Sequence, residues 1–201
     1  MHETERLILR PFDPSSQGDL ESVLDIHSRM DVIRWLSNPP FTPMSDLAQA
    51  REWIDRRNAM TDADPLALQW AIVERASGRT VGGVGVQRLV RLADSASADP
   101  ADPADPADSA VSSGFVGEYE IGWRLHPDAG GRGYATEAAR ELARAVFAGG
   151  LERLVIDMYD DNAPSAGVAR RLGAEERGVL DDPWYGGVSL LFELRPEHVA
   201  G

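Results

Sequence analysis

Residues Gly130-Gly131-Arg132-Gly133-Tyr134-Ala135-Thr136-Glu137-Ala138 join a glycine-rich loop to an amphipathic helix, directly after an extended segment. Glycine admits positive φ and close approach of a ligand to the backbone. The first turn of a helix presents N–H groups that have no intrahelical acceptor and are backed by the helix dipole. Together these make a place where an anion, and phosphate above all, can bind. The same glycines also suit a tight strand-to-helix turn with no ligand, and only the surrounding chain separates the two readings.

Composition narrows the chemistry. The chain has 201 residues, 43 % hydrophobic and 26 % charged, which suits a single domain with a real core. The expected domain is the whole span 1–201. Cysteine is absent, which excludes disulfides, thiolate nucleophiles and Cys-ligated zinc. The four histidines, His2, His27, His126 and His198, have no metal-motif spacing, so no metal is expected. No run approaches the ~18 apolar residues of a membrane span, and the N-terminus lacks a basic-then-apolar leader. A cytoplasmic protein without membrane contact is the default expectation. Net charge is −13, which argues against nucleic acid and makes an amine or basic polypeptide the more natural partner. Asp94, Asp99, Asp102, Asp105 and Asp108 supply five of those charges, leaving about −8 for the rest.

The elements that must position the loop follow from periodicity. Thr4 to Phe12 reads as a strand carrying Leu7 and Leu9 and ended by Pro11, and Asp19 to Arg29 as a helix with Asp19 as cap. The proline-rich piece around Trp35, Phe41 and Pro43 is irregular, and its aromatic residues belong either to the core or to a substrate groove. Ser45 or Asp46 caps a helix whose inward stripe is Leu47, Ala50, Trp53, Ile54 and Arg57. Gln69 to Glu74 and Thr80 to Leu92 form a hairpin around Ser77-Gly78, with Gly82, Gly83 and Gly85 marking a bulge or close backbone packing. Ala93 to Gly114 repeats Ala-Asp-Pro and holds almost nothing to bury, so a disordered acidic loop is expected there. Glu118 to Leu125 is a strand with Tyr119, Ile121 and Trp123 on one face and Glu118, Glu120 and Arg124 on the other. The helix after the glycine loop has rows Tyr134, Ala138, Leu142, Val146 and Ala135, Ala139, Ala143, Phe147, and ends at Gly149-Gly150. Leu154 to Met158 is a short buried strand. Asn162 opens a helix that Gly173 stops, and Ala174 to Leu180 and Val188 to Leu194 close the sheet around Trp184-Tyr185. Strands and helices alternate in a mixed α/β order.

Four stretches carry a resemblance. Glu3-Thr4-Glu5-Arg6-Leu7-Ile8-Leu9-Arg10-Pro11-Phe12 comes first, and Tyr119-Glu120-Ile121-Gly122-Trp123-Arg124-Leu125-His126-Pro127 leads into the loop. Gly131-Arg132-Gly133-Tyr134-Ala135-Thr136-Glu137-Ala138 follows, then Asn162-Ala163-Pro164-Ser165 with Arg171-Leu172-Gly173-Ala174. In this order they resemble the GNAT acyltransferase superfamily, and within it the RimJ/RimL-type, ribosomal-protein-alanine N-acetyltransferase-like branch.

The resemblance implies a mixed α/β fold with a mostly antiparallel twisted sheet, splayed between its fourth and fifth strands, where acetyl-CoA lies as cosubstrate. It places the pyrophosphate on Gly130, Gly131, Arg132, Gly133, Tyr134 and Ala135, and pairs the pantetheine arm with the main chain of Trp123, Arg124 and Leu125. Asn162 would touch that arm, cap its helix, or do both. The implied reaction is N-acetylation of a primary amine, on a small molecule or a basic peptide or protein, by direct attack on the thioester. Such a reaction needs a base, an oxyanion donor and an acid for the leaving thiolate. Glu120 is the candidate base with Glu118 as runner-up, the Leu125 N–H the oxyanion donor, and Ser165 the nearest hydroxyl to serve as acid. The chain departs from the family at Ala169, where many members carry a tyrosine acid, and at Asp128, where a carboxylate would lie close to the pyrophosphate. Those departures leave open a second reading, a non-catalytic acyl-CoA-binding regulatory module. A homodimer is the default assembly.

Overall fold

The computed structural model describes residues 1–36, 40–91, 110–111, 118–182 and 187–200. Its strands are β1 (His2–Glu3), β2 (Leu7–Arg10), β3 (Gln69–Glu74), β4 (Thr80–Arg88), β5 (Val90–Arg91), β6 (Ala110–Val111), β7 (Tyr119–Leu125), β8 (Leu154–Tyr159), β9 (Glu175–Asp182) and β10 (Gly187–Leu194). Its helices are α1 (Gln17–His27), α2 (Met30–Ile33), α3 (Leu47–Ala63), α4 (Tyr134–Ala148), α5 (Ala163–Leu172) and α6 (Pro196–Val199). Eight strands form one sheet in the order β1-β2-β3-β4-β7-β8-β10-β9. Its neighbours are antiparallel except β7 and β8, which run parallel and share a single paired position, Glu120 with Val155. Counting only strands of four or more residues, these are the fourth and fifth, and beyond that pair they part.

Period-two burial decides which side of the sheet each helix covers. Leu7, Leu9, Ile121, Ile156 and Phe192 pack with Ala138, Ala139, Leu142 and Ala143 of α4 and with Val168 and Leu172 of α5. Alanine along the inner rows of α4 brings that helix close to the sheet. On the opposite side Phe12, Ala71 and Val73 meet Leu20 and Val23 of α1 and Ala50, Trp53 and Ile54 of α3. Asp46 caps α3 by accepting from the N–H groups of Ala48 and Gln49.

Several local expectations need correction. Ser16, not Asp19, caps α1. Asp19 is instead 1 % exposed and accepts from both terminal nitrogens of Arg10, from the Thr80 hydroxyl and from the Asp13 N–H. A short polar side chain before an apolar run reads as a cap by sequence, and only the fold shows that this one ties α1 to β2 and β4. The β4 strand stops at Arg88 rather than Leu92, and Val90–Arg91 pairs in parallel with Ala110–Val111. Apart from Ala110–Val111, the segment expected to be a disordered acidic loop, 93–114, lies outside the described residues, as does the Trp184-Tyr185 tip.

The glycines of β4 mark close packing. A side chain at Gly82 would run into the carbonyl oxygen of Arg124 and lie 2.6 Å from the Leu125 side chain, across the β4–β7 pairing. The Gly82→Ala variant is therefore expected to lose about 2 kcal/mol, as overpacked sites do. For a domain of this size that is roughly a 4–8 °C fall in melting temperature, which calorimetry measures directly. An unchanged melting temperature would show that β7 tolerates displacement at Leu125.

Candidate active site

The parting of β7 and β8 opens a cleft of about 900 Å³, lined by Glu120 to Leu125 on one wall and Ile156 to Met158 on the other. One end is the glycine loop and the start of α4, with Asn162 and Ser165 of α5 beside it.

Strand geometry decides which main-chain groups face this cleft. The His126 N–H donates to the Val81 carbonyl and the Glu118 carbonyl accepts from the Leu89 N–H, so even-numbered positions of β7 turn their backbone toward β4. Alternation then directs the N–H and C=O of Trp123 and Leu125 toward β8, where the strand has parted and no ladder partner stands. Arg124 departs from expectation here. Its main chain pairs with β4 opposite Gly83, and it reaches the cleft by its side chain.

At the loop, Gly131 and Gly133 have φ of 72° and 80°, the left-handed region that side chains disfavour. Gly133 is the N-cap of α4 and offers no side chain to the N–H groups of the first turn. The open donors of Tyr134 and Ala135 therefore point out of the helix beside the cleft. Two flanking elements hold the loop in place. Arg6 donates to the Arg132 carbonyl at 2.7 Å and, through its Nε and its own N–H, to Glu137, which also accepts from the Thr4 hydroxyl. Burial alone would raise the Glu137 carboxyl, but the Thr4 and Arg6 donors outweigh it and hold it below the usual range. Glu74 accepts from the Tyr134 hydroxyl at 2.7 Å and pairs with Arg132 at 3.3 Å. The N-terminal Glu-Thr-Glu-Arg run thus braces the loop.

Asp128 is also placed differently from expectation. Its side chain is almost fully exposed and sits 3.7 Å from the His126 ring, in a separate small depression that it shares with Ser22 and Asp25. It is not among the residues lining the main cleft.

On the α1/α3 side of the sheet, Glu120 is 7 % exposed and accepts from the Gln87 amide at 3.0 Å. Glu118 shares its strand face but is engaged by Arg153, at 2.8 Å from Nε, and lies outside the cleft lining. That pairing, chiefly the hydrogen bond from Arg153, lowers its carboxyl below the ordinary range. Asn162 caps α5 by accepting from the Ser165 N–H at 3.2 Å and lines the cleft at the same time. Ala169 is fully buried in the core and carries no hydroxyl, so this position supplies no acid. Of the two groove aromatics, Trp35 lines the cleft and packs edge-on to Tyr159, whereas Phe41 is not among the lining residues.

Sequence reasoning passed over several cleft residues. Arg57 was visible as the one cation on an otherwise apolar helix stripe; it is 1 % exposed, approaches Gln87 at 3.4 Å and lies over the Trp53 ring. Arg171 reaches from the end of α5 to the Thr136 hydroxyl at 3.2 Å, across the first turn of α4. Asp31 and Asp157 line the cleft as well and gave no periodic signal.

A sheet split at one parallel pair, with strand groups facing the gap along one wall and an uncapped helix start at its end, makes a cleft for an extended ligand with an anionic end. The chain belongs to the GNAT acetyltransferase family, whose acetyltransferase (GNAT) domain matches residues 6–175. The uncharacterized N-acetyltransferase p20 of Bacillus licheniformis is 24 % identical over 180 residues, covering 89 % of this chain and 84 % of that protein. Mycobacterium smegmatis RimJ, solved in complex with CoA-disulfide, superposes with a TM-score of 0.69 at 17 % identity, covering 98 % of this chain and 88 % of that one. The microcin C7 self-immunity acetyltransferase MccE, solved with acetyl-CoA and AMP, gives a TM-score of 0.67 at 18 % identity, with 96 % and 93 % coverage. The protein is an acetyl-CoA-dependent acyltransferase with the mixed α/β GNAT fold. Among the described residues no helix is long and apolar enough to cross a membrane.

Proposed function

We propose that the protein acetylates a primary amine by direct attack on the acetyl-CoA thioester, with Glu120 as the base. The observation that carries this reading is one wall of the cleft. It presents the Leu125 and Trp123 N–H groups along its edge and a buried carboxylate, Glu120, on the face of the sheet that α1 and α3 cover. The nitrogen lone pair attacks the thioester carbon, and the Leu125 N–H stabilises the oxyanion. The C–S bond then breaks, releasing CoA thiolate, while the ammonium proton passes to Glu120, directly or through one water. Ser165, a hydroxyl lining the cleft next to Asn162, protonates the sulfur. The pyrophosphate rests on Gly130 to Ala135 with Arg132 at its side, Asn162 meets the pantetheine arm, and the main chain of Trp123 and Leu125 pairs with that arm as a strand would.

The RimJ/RimL-type branch is our assignment within the family, supported by the motif order and by the RimJ fold likeness, and acetylation of a protein α-amine is one outcome of it. The test is incubation with acetyl-CoA and a mixed amine and peptide library, read by mass spectrometry and by thiol release. Acetylated product is the expected result. Tight acetyl-CoA binding with no product from any amine would instead favour a regulatory acyl-CoA-binding module. Absence of binding at millimolar acetyl-CoA would overturn both readings.

A further inference from the structure

The acceptor side of the cleft has an open floor at Gly122, beside the Gln69 side chain that covers Gly85. Gly122 of β7 stands opposite Gly85 of β4, and both line the cleft. A side chain added at Gly122 would meet nothing within 4 Å, so open space stands above it. Alternation along β7 puts Glu120 and Arg124 on this same face, one on each side of Gly122. The floor is thus a slot with a carboxylate at one end and a guanidinium at the other. Four residues of strand separate Glu120 from Arg124 by about 13 Å along the backbone.

The cation end is built with care. His27 is 1 % exposed, and its Nδ1 lies 2.8 Å from the Val23 carbonyl, while its Nε2 lies 3.1 Å from Nη1 of Arg124. A guanidinium only donates, so Nε2 must accept, and the ring proton resides on Nδ1 toward Val23. His27 is therefore a neutral imidazole that orients Arg124 without repelling it. The Arg124 guanidinium also lies 5.1 Å from the centroid of Trp53, a ring held edge-on by Phe12. At the other end Gln87 fixes Glu120, and Arg57 in turn approaches Gln87. Both ends are oriented by side chains that are themselves packed, as a recognition site requires.

We propose that the acceptor is a zwitterionic amine of the amino-acid type, its amine directed to Glu120 and its carboxylate held by the forked donors of Arg124. This inference rests on the acetyl-transfer reading above, and names the substrate class for it. Asp31 and Asp157 at the rim of the cleft supply the competing choice, an acceptor with a second positive charge.

The test compares α-, β- and γ-amino acids with their carboxamides, and with diamines, in acetyl transfer by the wild-type protein and by Arg124→Gln. At least one amino acid is expected to be acetylated with kcat/KM about tenfold or more above its carboxamide, a ratio that a charge-assisted pair supports. In Arg124→Gln that ratio should fall to within about twofold, and in Arg124→Lys it should fall part of the way, because charge is kept but the fork is lost. Diamines or carboxamides turned over better than the acids would overturn the zwitterion while leaving acetyl transfer intact. Should nothing in the panel be acetylated, calorimetric titration of the amino acids into CoA-saturated protein decides: saturable binding weakened by Arg124→Gln supports the slot, and no heat at millimolar concentration refutes it.

Discussion

Replacing Glu120 with glutamine is expected to lower kcat by about 10²- to 10³-fold, within the range that a positioned general base contributes. Glutamine has the same shape and keeps an oxygen to accept from Gln87, now 3.0 Å away, so the wall of the cleft should stand. What it loses is the capacity to take a proton. The acceptor then arrives as an ammonium ion with nowhere to discharge, and attack is slowed while acetyl-CoA binding is not. The measurement is a steady-state assay of thiol release with acetyl-CoA affinity determined separately by calorimetry. A kcat within about threefold of wild type would remove Glu120 from the mechanism. Glu118 is no substitute, because Arg153 engages both of its oxygens away from the cleft.

The largest expected effect on stability comes from Asp19→Ala. Asp19 is 1 % exposed and accepts four hydrogen bonds, two from Arg10, one from Thr80 and one from the Asp13 backbone. Removing it strands Arg10 and Thr80 without an acceptor at the junction of α1, β2 and β4. Deleting one member of a buried pair typically costs 3–5 kcal/mol, and because Arg10 keeps some access to water we expect about 3 kcal/mol here. Melting temperature should fall by roughly 6–12 °C. The same carboxylate predicts a pH dependence. Burial alone would raise its pKa, but the Arg10, Thr80 and Asp13 donors outweigh burial and set it below the ordinary value. The folded state therefore prefers the ionised form. Its contribution is fully present above the unfolded value of about 4 and is lost as pH falls below that through the depressed folded value. Stability of the wild type, measured by denaturant titration, should decline from about pH 4 downward, and Asp19→Ala should flatten that decline. Equal slopes for the two proteins would place the acid sensitivity elsewhere.

Both residues illustrate how unevenly this protein can be read. Local order was legible because it is written in short-range chemistry. The inward rows of α4 follow from its 3.6-residue period, Asp46 and Asn162 cap because their side chains reach N–H groups two or three residues away, and Gly173 ends α5 at a φ of 87°. The glycine loop was legible for the same reason: an uncapped helix start and positive φ are properties of consecutive residues. The strand carrying Glu120 and the mixed α/β order were equally plain.

What tertiary structure alone decided is every relation between residues far apart in the chain. Asp19 looked like a cap until β4 brought Thr80 to it across 61 positions of sequence. Asp128 looked like a charge beside the pyrophosphate until the turn at His126 placed it in a separate depression, off the cleft lining. Arg124 seemed to offer its main chain to the cofactor, yet the β4–β7 register commits that main chain to Gly83 and sends the guanidinium to His27 and Trp53 instead. A one-residue change of register exchanges the faces of a strand, and no local pattern in β7 specifies its register against β4. The residue types were therefore determined by sequence, and the cleft with its two ends was made by the sheet that split between β7 and β8.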